Sequence, residues 1–184
     1  GHALVSHLLP HADPVSRISI ISRGNALGYT MTPPNRDKMQ VTKNQLQAEM
    51  SVLLGGRVAE KLVFDEETAG ASSDIARATR IARSMVEEWG MSPLGPIFLA
   101  PQYENSDYSR AYWDEPKKIS PELSAKVDTE VQKIINQAYQ ETQRVLAQYR
   151  QKLDEVATVL LEKETLEGAE FAQLVGEKKA EAKN

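Results

Sequence analysis

Apolar residues recur at intervals of three and four along most of the 184-residue chain and alternate only near its start. That contrast predicts a mainly α fold with a small sheet at the amino end. Residues 3–9 are apolar and form the last turns of a helix, which Pro10 and the segment His11-Ala12-Asp13-Pro14 stop. Residues 15–21 alternate and are rich in β-branched side chains, a strand pattern. A turn at residues 22–25 and a second strand at 26–31 complete a hairpin, and Pro33-Pro34-Asn35-Arg36-Asp37 opens a loop.

From residue 42 the helical period takes over. Thr42 with Gln45 forms a capping box. Behind it Leu46, Met50, Leu53, Leu54, Val58 and Leu62 define one buried face. Gly55-Gly56 lies within this helix at a cost of about 1 kcal/mol per glycine relative to alanine, which suits a place where another backbone packs close. Glu60, nearby, is a metal ligand by type, but the favoured reading is an ordinary helix-surface or ion-paired carboxylate. Small residues at 68–73 lead into a further helix with a stripe of Ile75, Ala78, Ala82, Met85 and Trp89, stopped by Gly90. Arg77, Arg80 and Arg83 share its other side as a solvated or ion-paired face.

Residues 91–119 are loop-like and carry Tyr103, Tyr108, Tyr112 and Trp113, which suit a mobile flap, a partner contact or rings laid on the surface. Ser120 and Pro121 start a helix whose stripe runs from Val127 to Tyr149. The period continues through Leu153, Val156, Val159, Leu160 and Leu161 to Lys163. A rod of that length is unusual in a compact domain, so a break is expected at 147–152 with the halves packed antiparallel. Residues 164–166 and 171–175 read as a small closing helix, and 176–184 as a charged, disordered tail.

Composition narrows the chemistry. Twenty-two basic against twenty-six acidic residues leave a net charge of -4, which argues against nucleic acid as a partner. The absence of cysteine excludes disulfides, thiolate zinc sites, iron–sulfur clusters and cysteine nucleophiles. No apolar run reaches the roughly 20 residues of a membrane-spanning helix. A histidine-based metal site must draw on His2, His7 or His11. His7 and His11 have ligand spacing, but Pro10 between them breaks the shared face. Asp74, after Ser72-Ser73, stands where a capping carboxylate would.

Several short stretches together carry a resemblance. They are Gly1-His2-Ala3, His11-Ala12-Asp13-Pro14-Val15, Ile20-Ile21-Ser22-Arg23-Gly24 and Ala26-Leu27-Gly28-Tyr29-Thr30. Gly55-Gly56-Arg57-Val58-Ala59-Glu60, Gly70-Ala71-Ser72-Ser73-Asp74-Ile75, Trp89-Gly90-Met91-Ser92, Leu94-Gly95-Pro96 and Val127-Asp128-Thr129-Glu130-Val131 follow in order. From residue 1 to 175 the chain resembles the peptidase domain of the FtsH family, membrane-bound ATP-dependent zinc metalloproteases.

The family's domain opens on a helix bearing His-Glu-Ala-Gly-His. Two His four residues apart leave one helical face and reach one zinc at roughly 2.0–2.1 Å, while the Glu takes a proton from the metal-bound water. The family's third protein ligand is a distant Asp. The resemblance implies that His2 is the second His and Asp74 the third ligand. It places the first His and the Glu base upstream of Gly1, so no catalytic residue is assigned here and residues 1–184 alone are expected to be inactive and to bind zinc weakly. It further implies a parent that degrades unfolded membrane and soluble proteins, an ATPase domain using ATP, a homo-hexameric ring and an upstream membrane anchor. Neither a phosphate-binding loop nor a spanning segment occurs in this stretch, which is expected to be soluble by itself. The strand pair at 15–31 offers an edge for an extended substrate. The alternative is a protease-dead helical module that holds such a ring together, its stripes at 42–64 and 120–161 buried against neighbours.

Overall fold

The computed structural model describes residues 1–21, 29–32, 40–99 and 119–176. The turn expected at 22–25, the start of the second strand at 26–28, the loop at 33–37, the aromatic segment 103–113 and the tail from 177 onward lie outside the described residues.

The amino-terminal helix α1 spans His2–Leu8, and Leu9 is extended at φ -80° and ψ 133°. The following Pro10 imposes that conformation, because its ring clashes with a helical residue before it. Strands β1 (Arg17–Ser19) and β2 (Tyr29–Met31) pair antiparallel, with Ile18 opposite Thr30. Both are shorter than the alternation suggested. Ile20 and Ile21 lie past the end of β1 and are exposed.

Helix α2 (Lys43–Phe64) carries the expected capping box and ends at Asp65, which takes a left-handed φ of 54°. Helix α3 (Ser72–Glu87) follows a short 3-10 turn at Ala69–Ala71. It stops before Trp89, which the helical stripe had placed inside and which instead lies in the turn and is exposed. Gly90, at φ 60°, redirects the chain, and the Met91 amide bonds back to the Met85 carbonyl at 2.7 Å. On the outer side of α3, Arg77 pairs with Glu49, and Arg83 with Glu87 and Asp128, as an ion-paired face.

Helix α4 (Pro121–Gln148) starts with Ser120 accepting from the Leu123 amide at 3.2 Å. Tyr149 alone separates it from α5 (Arg150–Lys163), within the expected window. The halves do not pack antiparallel. Backbone hydrogen bonds from Tyr149 to Val145 and from Leu153 to Tyr149 carry the chain through the bend, so α4 and α5 touch only near it. Helix α5 spends its apolar face on the carboxy-terminal elements, and Leu161 points to solvent.

Those elements correct a second expectation. Residues 165–167 are not part of a closing helix but form β3 (Thr165–Glu167), which pairs antiparallel with β1 and places Leu166 opposite Ile18. The sheet order is β2-β1-β3. Glu164 ends α5 at φ 60°, and the Gly168 amide donates to the Ser16 carbonyl at 2.8 Å. A reciprocal Glu167–Glu170 capping box then starts α6 (Gly168–Val175).

Helix α2 packs against α1, α3 and α4 and joins two cores. One gathers Leu4, Val5, Ile18, Leu146, Val156, Leu166 and Phe171. The other gathers Met50, Leu54, Ala82, Met85, Val127 and Val131 from α2, α3 and α4. Between α2 and α4 the fully buried Thr142 hydroxyl lies 3.0 Å from the Ser51 carbonyl and 2.8 Å from that of Ala138.

Two substitutions test this assignment of the core and caps. Phe171→Ala should cost about 3–5 kcal/mol in chemical denaturation, because the ring is fully buried where α6 closes the first core. Thr42→Ala removes one side of a capping box and should cost about 1 kcal/mol. A Phe171 variant as stable as the parent would mean that α6 docks independently of that core.

Candidate metal centre

Three helices meet at the amino end of the chain. The first turn of α1 crosses α2 at Gly55 and Gly56. A Cβ on Gly55 would stand 3.0 Å from the His2 backbone nitrogen, and one on Gly56 only 2.5 Å from His2 Cε1. The two glycines therefore form a seat for the backbone and ring of His2. Close packing explains why a helix interior tolerates their propensity cost of about 1 kcal/mol each.

Helix α3 brings the second group. Asp74 lies in its first turn, where a carboxylate suits the positive helix end, yet no side chain caps the α3 amino terminus. The Asp74 carboxylate is turned toward α1, with Oδ2 3.1 Å from His2 Nε2. Glu60 helps to set the entry of α3. Its Oε1 accepts from the Thr68 hydroxyl at 2.9 Å, and that hydroxyl accepts from the Gly70 amide at 3.2 Å in the turn before α3. Arg57 stands 4.0 Å away, so Glu60 behaves as the partnered carboxylate that its position suggested.

The other two histidines stay away from this pair. His7 is buried, its ring N–H donating to the Gly176 carbonyl at 2.6 Å, and it meets Phe171 edge-to-face with centroids 5.3 Å apart. Five residues along a helix turn the side chain by about 140° from His2, which explains the separation. His11 lies past Pro10, beyond the end of α1.

The His2 and Asp74 side chains are 35% and 32% exposed, so the pair is walled by protein yet open to a molecule from solvent. Burial first, and then the positive charge of the adjacent amino terminus, push the His2 pKa below its ordinary value against the upward pull of Asp74 and of a hydrogen bond with the Leu53 backbone. A neutral imidazole at physiological pH keeps a lone pair for a metal, and a carboxylate beside it supplies charge. Both are zinc donor types, and backbone support of the ring is common around metal-binding histidines. Among the described residues no third His, Cys, Asp or Glu joins them to complete a three-donor set. The residues present thus fit two of the positions around a zinc ion. The seat on Gly56 and the Leu53 hydrogen bond were not read from the sequence. The glycine pair within an otherwise apolar helix was the signal for the first, whereas a backbone carbonyl leaves none.

Comparison with known proteins identifies the family. Residues 1–174 match peptidase family M41. The ATP-dependent zinc metalloprotease FtsH of Pseudothermotoga lettingae is 46% identical over 95% of this chain and 28% of its own length. The protein of the same name from Thermotoga maritima is 44% identical over 96% of this chain and 29% of its own. FtsH 1 of Thermomicrobium roseum is 44% identical over 96% and 27%, respectively. The chain spans less than a third of the length of these curated relatives. It belongs to peptidase family M41.

Gly56→Ala should unseat the His2 ring, since the added methyl falls on Cε1. Once the ring moves into water, NMR titration should show its pKa rising toward the usual value of about 6.5. An unchanged titration, with the 3.1 Å contact preserved in a crystal structure, would show that the close approach does not hold the ring.

Proposed function

We propose that this chain is the peptidase domain of an ATP-dependent zinc metalloprotease, with His2 and Asp74 as two of the protein ligands of its zinc. The observation that carries the reading is the convergence of an imidazole and a carboxylate from separate helices, 72 positions apart in sequence, at a half-open seat lined by glycine. Zinc bound there would act as a Lewis acid and lower the pKa of a coordinated water. His2 contributes a lone pair from a ring supported by Gly56 and Leu53. Asp74 contributes negative charge from the first turn of α3, held in place by the Glu60–Thr68 turn. The third ligand and the proton acceptor come from residues other than those described.

An extended substrate would add along the outer edge of β2, because β1 is already paired on both sides. Substrates are unfolded membrane and soluble proteins delivered by ATP hydrolysis elsewhere in a homo-hexamer anchored in a bacterial inner membrane or an organelle membrane. Within the described residues no helix is long and apolar enough to cross a membrane. The relatives' shared name and the family match support the protease reading over that of a purely structural ring module.

Asp74→Asn in the whole protein tests it. The amide keeps the size of the side chain but removes the charge. Zinc content should fall, and chelator-sensitive cleavage of an unfolded protein should drop by at least roughly 100-fold, since even outer-sphere losses at metal sites reach that range. ATP hydrolysis should stay within about twofold, because metal ligation lies apart from nucleotide chemistry. Cleavage at the normal rate would mean that Asp74 is only a first-turn carboxylate.

A further inference from the structure

Helix α1 has 7 residues, too few to hold a helix in water by themselves, so its contacts decide where it stands. Its first turn rests on Gly55 and Gly56 of α2. Its last turn is gripped from another direction. The buried His7 ring meets the fully buried Phe171 edge-to-face, and its Nε2 lies 2.6 Å from the Gly176 carbonyl. A carbonyl only accepts, so Nε2 carries the proton and the tautomer of the neutral ring is fixed. Nothing in the zinc chemistry proposed above uses this imidazole, which is tied to a backbone carbonyl 169 positions away.

Gly176 suits that contact. Its amide closes α6 by donating to the Ala172 carbonyl at 2.8 Å, and its backbone takes a φ of 99°, which glycine adopts without strain. Nothing lies within 4 Å of where a Cβ would stand, so the backbone angle, not crowding, calls for glycine here. Leu4 and Val5 bury α1 in the core, but apolar burial is non-directional and leaves the roll of a helix about its axis weakly fixed. Two directional contacts on different sides fix it. His2 and His7 leave α1 about 140° apart, one toward α2 and the other toward α6. A roll of about 10° shifts a group roughly 6 Å from the axis by about 1 Å. Metal–ligand distances tolerate only about 0.2 Å.

We propose that His7 is a positioning residue for the zinc site. Its bond to Gly176 fixes the roll of α1, and so the place of the His2 ring against Gly56 and Asp74. The metal site is then complete only while α6 is docked on α1, which makes the end of α6 a control point for metal retention. The proposal rests on the protease reading above, with His2 and Asp74 as ligands.

The test uses the whole zinc-loaded protein and measures zinc release to a chelator beside kcat and KM for an unfolded protein. His7→Phe keeps a ring but removes the donor, and Gly176→Ala strains the backbone that presents the acceptor without a clash. Each should speed zinc release and lower kcat by roughly tenfold, the scale seen when a support of a metal ligand is lost, with KM within about twofold. His7→Gln restores an N–H near the place of Nε2 and should bring both values back to within about threefold of the parent. Leu153→Ala trims the same core away from this bond, and should lower the thermal midpoint while leaving zinc release within about twofold. If His7→Phe fails to fold, Gly176→Ala decides. Parent-like zinc release and kcat in the His7→Phe and Gly176→Ala variants overturn the positioning role and leave the protease reading standing. So does a Leu153→Ala variant that loses zinc as fast as they do, since the effect is then general destabilisation. A parent without chelator-sensitive cleavage overturns both readings.

Discussion

The first turn of α1 can lie against α2 only because residues 55 and 56 have no side chains. Any larger residue at 56 would meet the His2 ring, and any at 55 the backbone beneath it. That close approach sets where His2 stands relative to α2. Because α3 and α4 also pack on α2, it sets the frame for Asp74 too. A helix interior with two adjacent glycines gives up about 2 kcal/mol of propensity, and the crossing it permits is the geometric origin of the site.

Rigidity around that crossing comes from both ends of the chain. His7 donates to the Gly176 carbonyl and packs on Phe171, so the helix that carries His2 is tied to the last helix. Strand β3 returns to pair with β1, and Leu166 and Phe171 close the core below α1. On the other side the Glu60–Thr68 turn and the Glu49–Arg77 pair connect α2 to the start and middle of α3. The exposed Glu49–Arg77 pair contributes little stability alone, on the order of 0–1 kcal/mol.

Much of this architecture was legible in the chain. The Thr42 capping box, the Ser120-Pro121 start, the stripes of α2 and α4 and that of α3 as far as Met85 are local or period-based signals that appear where the sequence placed them. The break at Tyr149 was legible as well, from length alone. The course of α5 after the break was not, since periodicity records that a face is buried but not against which partner. Trp89 failed for a related reason: it satisfies the helical period, but Gly90 ends the helix before the tryptophan can join it.

Residue types and motifs determined which groups are available for chemistry: three histidines, no cysteine, and an aspartate at a helix start. Composition and local pattern carried these facts because they require no knowledge of distant contacts. Which histidine meets which carboxylate was decided by tertiary structure. From the residues alone Asp74 reads as a helix cap, and His7 is one of three histidines on which a metal site must draw, whereas in the fold Asp74 turns to His2 and His7 turns to Gly176. The same holds for β3, three residues long, whose strand character exists only because β1 presents an unpaired edge about 150 positions away. A backbone edge, a carbonyl beneath a ring and the direction of a side chain are properties of packing, and packing depends on residues far apart in the chain.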